Sequence, residues 1–322
     1  MKIVILDGFL TSRGDLTFDA LRAYGEVEFY PYTAPEERTE RMRGAGAVYV
    51  NRCVLGREEM EACPTLRFIG VTGTGYNMVD LEAAREHGIC VCNVPAYSAA
   101  AVAEMTFALL LEISRRTAFF SDYLHAGHWR DPLDETVAGT HSFELCGRTL
   151  GVVGLGDIGR RVARIAQAMD MRVLACRSRP AAGTDECGAV YTDFHTLLKE
   201  SDIVSLHCPL NDGTRGLIGE AALAQMKPGA VLLNTARGAL VDEAAVIRAL
   251  ESGRLLAVGT DVLCHEPPEE GDRLFRHERC VVTPHVAWAP TETRRRLIEV
   301  CARNLECFLA GHPQNVVGIL DD

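Results

Sequence analysis

Between Thr149 and Cys176 the chain reads TLGVVGLGDIGRRVARIAQAMDMRVLAC: an apolar run, three glycines, a helix-like run and a second apolar run. Gly154, Gly156 and Gly159 stand in G-x-G-x-x-G spacing. The spacing alone recurs by chance; its place after a strand and before a helix is what constrains the fold. There the first glycine permits a tight turn, the second lets the main chain approach a pyrophosphate, and the third brings helix against strand. The amides that open the helix, at Asp157 and Ile158, then face the anion. A packing turn without ligand is the alternative.

Where such units prefer NAD, an Asp or Glu about 20 residues further on accepts bonds from the ribose hydroxyls. Here that place is taken by Cys176-Arg177-Ser178-Arg179. Two guanidinium groups and a hydroxyl suit a 2′-phosphate. The sequence therefore favours NADP(H); NAD(H), held through its pyrophosphate while the arginines stay in solvent, remains the alternative.

The rest of the chain extends the same alternation. KIVILD, VEFYP, GAVYVN, LRFIGVT and GICVCNV are short apolar runs separated by helix-like segments, and a second series runs through TLGVVG, MRVLAC, DIVSLHC, AVLLNTA, LLAVGTD and CVVTP. Each series predicts a parallel α/β layer. At 322 residues the chain is longer than one core usually serves, so two domains are expected. Between the series, SAAAVAEMTFALLLEISRR predicts a helix that is apolar nearly all round and buried between layers, with Arg115 and Arg116 near its C-terminal end. From Ala118 to Cys146 the periodicity is lost, and an irregular arm is expected, of the kind used in binding or subunit contact. TETRRRLIEVCARNLECFLAGHP predicts a long amphipathic helix ending at Gly311, with Pro313 beyond it.

A net charge of -11 disfavours nucleic acid and anionic membrane surfaces as partners. No apolar run approaches the ~20 residues of a membrane span, and MKIVILDGFL, broken at Asp7, predicts a first strand rather than a signal peptide. Twelve cysteines scattered through strands and helices are read as reduced thiols of a cytoplasmic protein. Cys90 and Cys92 share one face of a strand, and without a second pair no metal site is expected.

Three further motifs each lie just past an apolar strand: NTARGALVDE with Arg237, GTDVLCHEPP with Asp261 and Glu266, and TPHVAW with His285. Ligands of an open parallel sheet sit outside the carboxyl ends of its strands, so all three motifs can converge on one crevice. A histidine beside an arginine suits chemistry that needs an acid near neutrality and a cation for a carboxylate. Taken singly, Arg237 could be a surface ion pair, Glu266 a solvated carboxylate and His285 a loop hydrogen bonder.

With NVPAYS, VSLHCPL, NTARGALVDE and PHVAWA in view, the chain resembles, over its whole length, the D-isomer-specific 2-hydroxyacid dehydrogenases, within them the glycerate dehydrogenase (hydroxypyruvate reductase) group. The resemblance implies an α/β fold of two doubly wound parallel-sheet domains. A Rossmann-type dinucleotide domain, residues 99–290, is inserted into a flavodoxin-like substrate domain, residues 1–98 and 291–322. It implies an NAD(P)-dependent oxidoreductase that reduces a small 2-oxo acid, hydroxypyruvate or glyoxylate first, to the D-2-hydroxy acid. His285 would be the proton donor, Glu266 the partner of its other ring nitrogen, and Arg237 the binder of the substrate carboxylate. Gly73, Thr74 and Gly75 of VTGTGYNMVD would bind the same carboxylate through their amides; Trp288, three residues past His285, is read either as a wall of the pocket or as a core residue. On the cofactor side, Asp261 would bond the nicotinamide carboxamide and Val102 would pack near its ring. His207, Cys208 and Pro209 would line the adenosine, with Thr235 and Ala236 beside the cofactor. His125, His128 and Trp129 are assigned to packing or dimer contact. The resemblance further implies a homodimer whose domains close on ligand. Two alternatives stand beside this: a dinucleotide-sensing corepressor-like binding protein, and a dehydrogenase of another 2-hydroxy acid such as phosphoglycerate.

Overall fold

The computed structural model describes residues 1–139, 142–179 and 181–318. Residues 319–322, assigned above to the substrate domain, and residues 140–141 of the arm lie outside them. The chain forms two compact units, Met1–Ser98 with Trp288–Asp322, and Ala99–Ala287.

The first unit is built on β1 (Lys2–Ile5), β2 (Glu26–Phe29), β3 (Ala45–Val50), β4 (Phe68–Val71) and β5 (Cys90–Cys92), parallel in the order β2-β1-β3-β4-β5. This is flavodoxin-like winding. Strands buried on both faces need apolar residues throughout, and all of β4 is buried whereas edge strand β2, EVEF, is not. The Thr291–Leu309 helix closes one face, setting Leu297, Ile298, Cys301 and Leu305 in a cluster with Ile3, Ile5, Phe68 and Cys92. Leu297 and Leu305, fully buried, each contribute about 1.5–3 kcal/mol. The Tyr49 hydroxyl donates to the Cys301 carbonyl at 3.0 Å. Cys90 and Cys92 do lie on one side, their sulfurs 3.8 Å apart.

The second unit holds β6 (Thr149–Val153), β7 (Arg172–Cys176), β8 (Val190–Tyr191), β9 (Ile203–Leu206), β10 (Ala230–Asn234), β11 (Leu255–Thr260) and β12 (Cys280–Val282), parallel in the order β12-β11-β10-β9-β6-β7-β8. The winding reverses between β6 and β9, which pair from Leu150↔Ile203 to Val153↔Leu206. Doubly wound sheets take ligands outside the carboxyl ends of the strands at that reversal.

Three local expectations are corrected. Edge strand β8 was not foreseen, because two residues are too few to show a period. The Ala99–Arg115 helix is not buried all round: Glu104, Ala108, Leu111 and Arg115, spaced by four, three and four, form an exposed stripe. The arm is partly regular, with helices Thr117–His125 and Glu135–Ala138. Thr117–His125 buries no residue, so its apolar side chains face no core and leave no clean pattern. Phe119 instead packs edge-on to Phe120 and stacks on Tyr123, which stacks on His128 at 4.7 Å and donates from its hydroxyl to Asp134 at 2.6 Å.

Candidate active site

At the end of β6 the three glycines divide into two kinds. A Cβ on Gly154 would stand 2.7 Å from the main chain of His207 and Cys208, and its φ of +96° is unfavourable to any other residue. A Cβ on Gly159 would stand 2.2 Å from the Gly154 carbonyl oxygen. Packing alone demands both. Gly156, at φ -89° before the Asp157–Ala168 helix, would carry a Cβ that, its own chain neighbours aside, has no atom of the described residues within 4 Å. Its turn opens outward, beside the first helical amides of Asp157 and Ile158, which have no acceptor inside the helix. An open glycine main chain at a helix start fits a dinucleotide pyrophosphate.

Around this turn the expected residues are distributed unevenly. Cys208 and Pro209 follow β9 beside Gly154, Cys208 half-buried and Pro209 exposed. His207 reaches the turn only through its main chain. Although the residue as a whole is partly exposed, its imidazole is buried: one nitrogen bonds Ser205 Oγ at 2.8 Å and Nδ1 has no partner among the described residues. Burial pulls the ring down to about 4, so it is neutral at physiological pH. A buried N–H without acceptor is the costlier omission, so Nε2 carries the proton. The Cys176 thiol is raised to about 12, and that of Cys208 is raised too, both by burial.

Arg177, Ser178 and Arg179 are exposed beyond the end of β7. Arg177 lies over the Tyr191 ring, its Nη1 3.5 Å from the hydroxyl. That hydroxyl donates to Asp185 at 2.8 Å, and Asp185 is paired with Arg160, which holds its carboxyl far below the usual range. Nothing in the sequence pointed to Tyr191, Asp185 or Arg160, because the contact joins three separate segments.

The loops after β10, β11 and β12 carry Arg237, Glu266 and His285, so three adjacent strands deliver the three residues to one edge of the sheet. The Arg237 loop is held by Asn234, whose side chain accepts from the Ala236 amide at 3.1 Å and donates to the Arg237 carbonyl at 2.9 Å. Arg237 itself donates to the Ala236 carbonyl at 2.8 Å. A Cβ on the next residue, Gly238, would stand 2.1–2.4 Å from the main chain of Leu263 and Cys264, so this loop sits directly on the one bearing Glu266. Glu266 accepts from the Leu263 amide through Oε1 at 3.0 Å and meets His285 Nδ1 through Oε2 at 2.6 Å. The two side chains are 24% and 28% exposed, enough access for a small ligand.

His285 has φ +54°, a left-handed conformation costing about 1–2 kcal/mol in a non-glycine residue. Its amide is held by the Asp261 and Thr283 carbonyls at 2.8 and 3.0 Å. Asp261 is 1% exposed, and its carboxylate is directed at the His285 loop. Val102 is buried in its helix; Thr106, one turn on, bonds the Val102 carbonyl and approaches the hydroxyl of buried Thr235 at 3.0 Å. Ala236 is half-buried.

The other residues to which the resemblance gives a substrate role belong to the first unit. The Gly73 carbonyl accepts from the Val94 amide and Thr74 Oγ1 donates to the Val94 carbonyl, both at 2.9 Å, while Asn93 donates to the Thr74 carbonyl at 2.7 Å. Thr74 is exposed, between half-buried Gly73 and Gly75. Trp288 packs at the border of the cluster containing Leu297. Among the described residues no three metal-binding side chains gather, and no helix is long and apolar enough to cross a membrane.

Residues 107–287 match the model of the D-isomer specific 2-hydroxyacid dehydrogenase, NAD binding domain. Over 98% of its length the chain is 41% identical to hydroxypyruvate reductase of Blautia hydrogenotrophica, covering 99% of that protein. The chain belongs to the D-isomer specific 2-hydroxyacid dehydrogenase family. This dehydrogenase is also 35% identical to glycerate dehydrogenase of Methylorubrum extorquens, over 98% of each chain. A solved acyclic imino acid reductase in complex with NADPH and D-Arg superposes with a TM-score of 0.85 at 30% identity, over 98% of the dehydrogenase and 100% of that chain. The dehydrogenase is thus a nicotinamide-dependent oxidoreductase acting on the CH–OH group of small 2-hydroxy acids.

Proposed function

We propose that the enzyme reduces hydroxypyruvate or glyoxylate to the D-2-hydroxy acid, with NADPH preferred over NADH. The observation that carries the chemistry is the 2.6 Å contact between His285 Nδ1 and Glu266, on a loop packed against that of Arg237. Bound nicotinamide supplies the hydride in reduction and takes it back in oxidation. With Nδ1 on the carboxylate, proton transfer to the carbonyl oxygen falls to Nε2 of His285, and Glu266 fixes the ring for it. Arg237 offers a guanidinium fork to the substrate carboxylate and draws charge towards the carbonyl. Gly73, Thr74 and Gly75 complete the carboxylate's hydrogen bonds, and Trp288 limits substrate size. The opening at Gly156, with Asp157 and Ile158, takes the pyrophosphate, while Val102, Cys208, Pro209, Thr235 and Ala236 line the cofactor.

The preference for NADPH rests on the two exposed guanidinium groups past β7 and on the lack of a carboxylate there. A homodimer is supported by the exposed stripe of the Ala99–Arg115 helix and by the neighbouring Thr117–His125 helix, which buries nothing. All twelve cysteines are free thiols, in keeping with a reducing cytoplasm. Initial rates with NADH and NADPH against hydroxypyruvate, glyoxylate, pyruvate and bulkier 2-oxo acids, for the wild type and Arg177→Asp, test the proposal. Oxidation of NADPH with the two small acids and a swing towards NADH in the variant are expected. A dinucleotide that binds but is never oxidised refutes the activity, and an unchanged cofactor ratio refutes the phosphate assignment.

A further inference from the structure

We infer that Tyr191 is a positioning residue for cofactor choice: seated by the Asp185–Arg160 pair, it holds the Arg177 guanidinium beyond the end of β7 and so sets the discrimination between NADPH and NADH. The inference rests on Arg177 meeting the 2′-phosphate, as proposed above. Main-chain pairing puts the tyrosine in place: it is in register with Ala175, two residues before Arg177, and its amide donates to the Gly183 carbonyl at 2.9 Å. The Arg177 guanidinium lies 5.8 Å from the centre of the Tyr191 ring, within the range of a cation–π attraction, with Nη1 3.5 Å from the hydroxyl oxygen.

The tyrosine is in turn held from behind. Its hydroxyl donates to Asp185 Oδ2 at 2.8 Å, and Asp185 also accepts from the Cys187 amide at 3.1 Å and from Arg160 Nε and Nη2 at 3.3 and 3.2 Å. Paired with Arg160, Asp185 is ionised and can only accept, so the Tyr191 proton points to it and the lone pairs of the hydroxyl oxygen are left for Arg177. Arg160 is the fourth residue of the Asp157–Ala168 helix, so the anchor belongs to the element that opens at the glycine turn. A bare carboxylate here would repel a phosphate; that of Asp185 is 7% exposed and its charge is matched by Arg160. An exposed arginine loses side-chain freedom when it grips a ligand, and one already seated on a ring has less to lose.

Dissociation constants for NADPH and NADH, read by fluorescence titration of Tyr191→Phe, Tyr191→Leu, Arg177→Ala and the double variant Tyr191→Leu with Arg177→Ala, test this. Tyr191→Phe, which loses the hydroxyl and keeps the ring, is expected to weaken NADPH binding about threefold and Tyr191→Leu, which loses both, about tenfold, while NADH binding stays within about twofold of wild type. In the Arg177→Ala background Tyr191→Leu adds less than about twofold, because the tyrosine acts through the arginine. Urea unfolding without dinucleotide shows which variants fold; if Tyr191→Leu does not, Tyr191→Phe takes its place in the cycle. NADPH and NADH weakened together, an NADPH constant that ignores Tyr191, or the full loss repeated without Arg177 overturns the inference. Arg177→Ala alone tests the underlying reading: a wild-type ratio of the two constants there removes the phosphate from Arg177 whatever the tyrosine variants do.

Discussion

Gly156→Ala and Gly159→Ala separate what the glycine turn does for the fold from what it does for a ligand. At position 159 the new methyl would lie 2.2 Å from the Gly154 carbonyl oxygen, a main-chain atom that cannot rotate away. Helix and strand must part, and such overpacking costs about 1–3 kcal/mol or more. At position 156 the φ of -89° suits alanine and, its chain neighbours aside, no atom of the described residues lies within 4 Å. There the loss of a good helix-capping residue and the stiffer unfolded chain act in opposite directions, each by about 0.5–1 kcal/mol, so stability stays near wild type. A pyrophosphate lying against that main chain meets the methyl at once. Losing one charge-assisted hydrogen bond costs about 1.5–3 kcal/mol, a tenfold to 150-fold weaker complex. Urea unfolding without dinucleotide and fluorescence titration with NADPH read the two effects independently. A Gly156→Ala protein that binds NADPH within threefold of wild type refutes the cradle, and one as unstable as Gly159→Ala refutes the open geometry.

Glu266→Gln keeps the size of the side chain and removes the charge facing His285; with both groups about a quarter exposed, solvent reduces the loss to about 1.5 kcal/mol. Steady-state kinetics should therefore show kcat/KM falling about tenfold at unchanged NADPH affinity, and a change under twofold counts against the pairing. His207 governs part of the acid limb of stability: burial lowers it from 6.5 to about 4, so its contribution is complete above pH 6.5 and is lost as the pH falls towards 4. Between pH 6.5 and 5 that loss is about 2 kcal/mol. In urea unfolding His207→Phe should flatten this slope, and parallel curves for variant and wild type would exclude the residue as its source. Leu111→Asp places a charge in the middle of the exposed helical stripe. Sedimentation equilibrium should find it monomeric if that face joins two copies, whereas an intact dimer puts the interface elsewhere.

Where a residue's neighbours in sequence determine its environment, the chain was legible. Buried parallel strands such as AVLLN must be apolar throughout, and eleven of the twelve strands among the described residues could be read directly. The glycine turn was visible because its three requirements fall within six residues. What escaped depends on distant segments. Strand β8 exists because Val190 and Tyr191 pair with Leu174 and Ala175. The Thr117–His125 helix has no buried face to give it a period. His207 looks from the sequence like a strand-end ligand, but its ring turns inward to Ser205. Asp261 is buried, and the side-chain hydrogen bonds it makes reach Thr283, Val286 and Ala287, some 22–26 positions away, so that cluster cannot be read from its neighbours in sequence.

The first unit is assembled from two ends of the chain, with Ala99–Ala287 between them. Its closing helix, which covers Ile3, Ile5 and Phe68, is therefore made after the whole of the second unit. At ribosomal rates of about 5–20 residues per second, the sheet waits roughly ten to forty seconds with that apolar face uncovered. Newly made chains should thus pass through a sticky, half-finished stage that a holding chaperone could protect, and a circular permutation that opens the chain before Trp288, so that the closing helix precedes Met1, should shorten it.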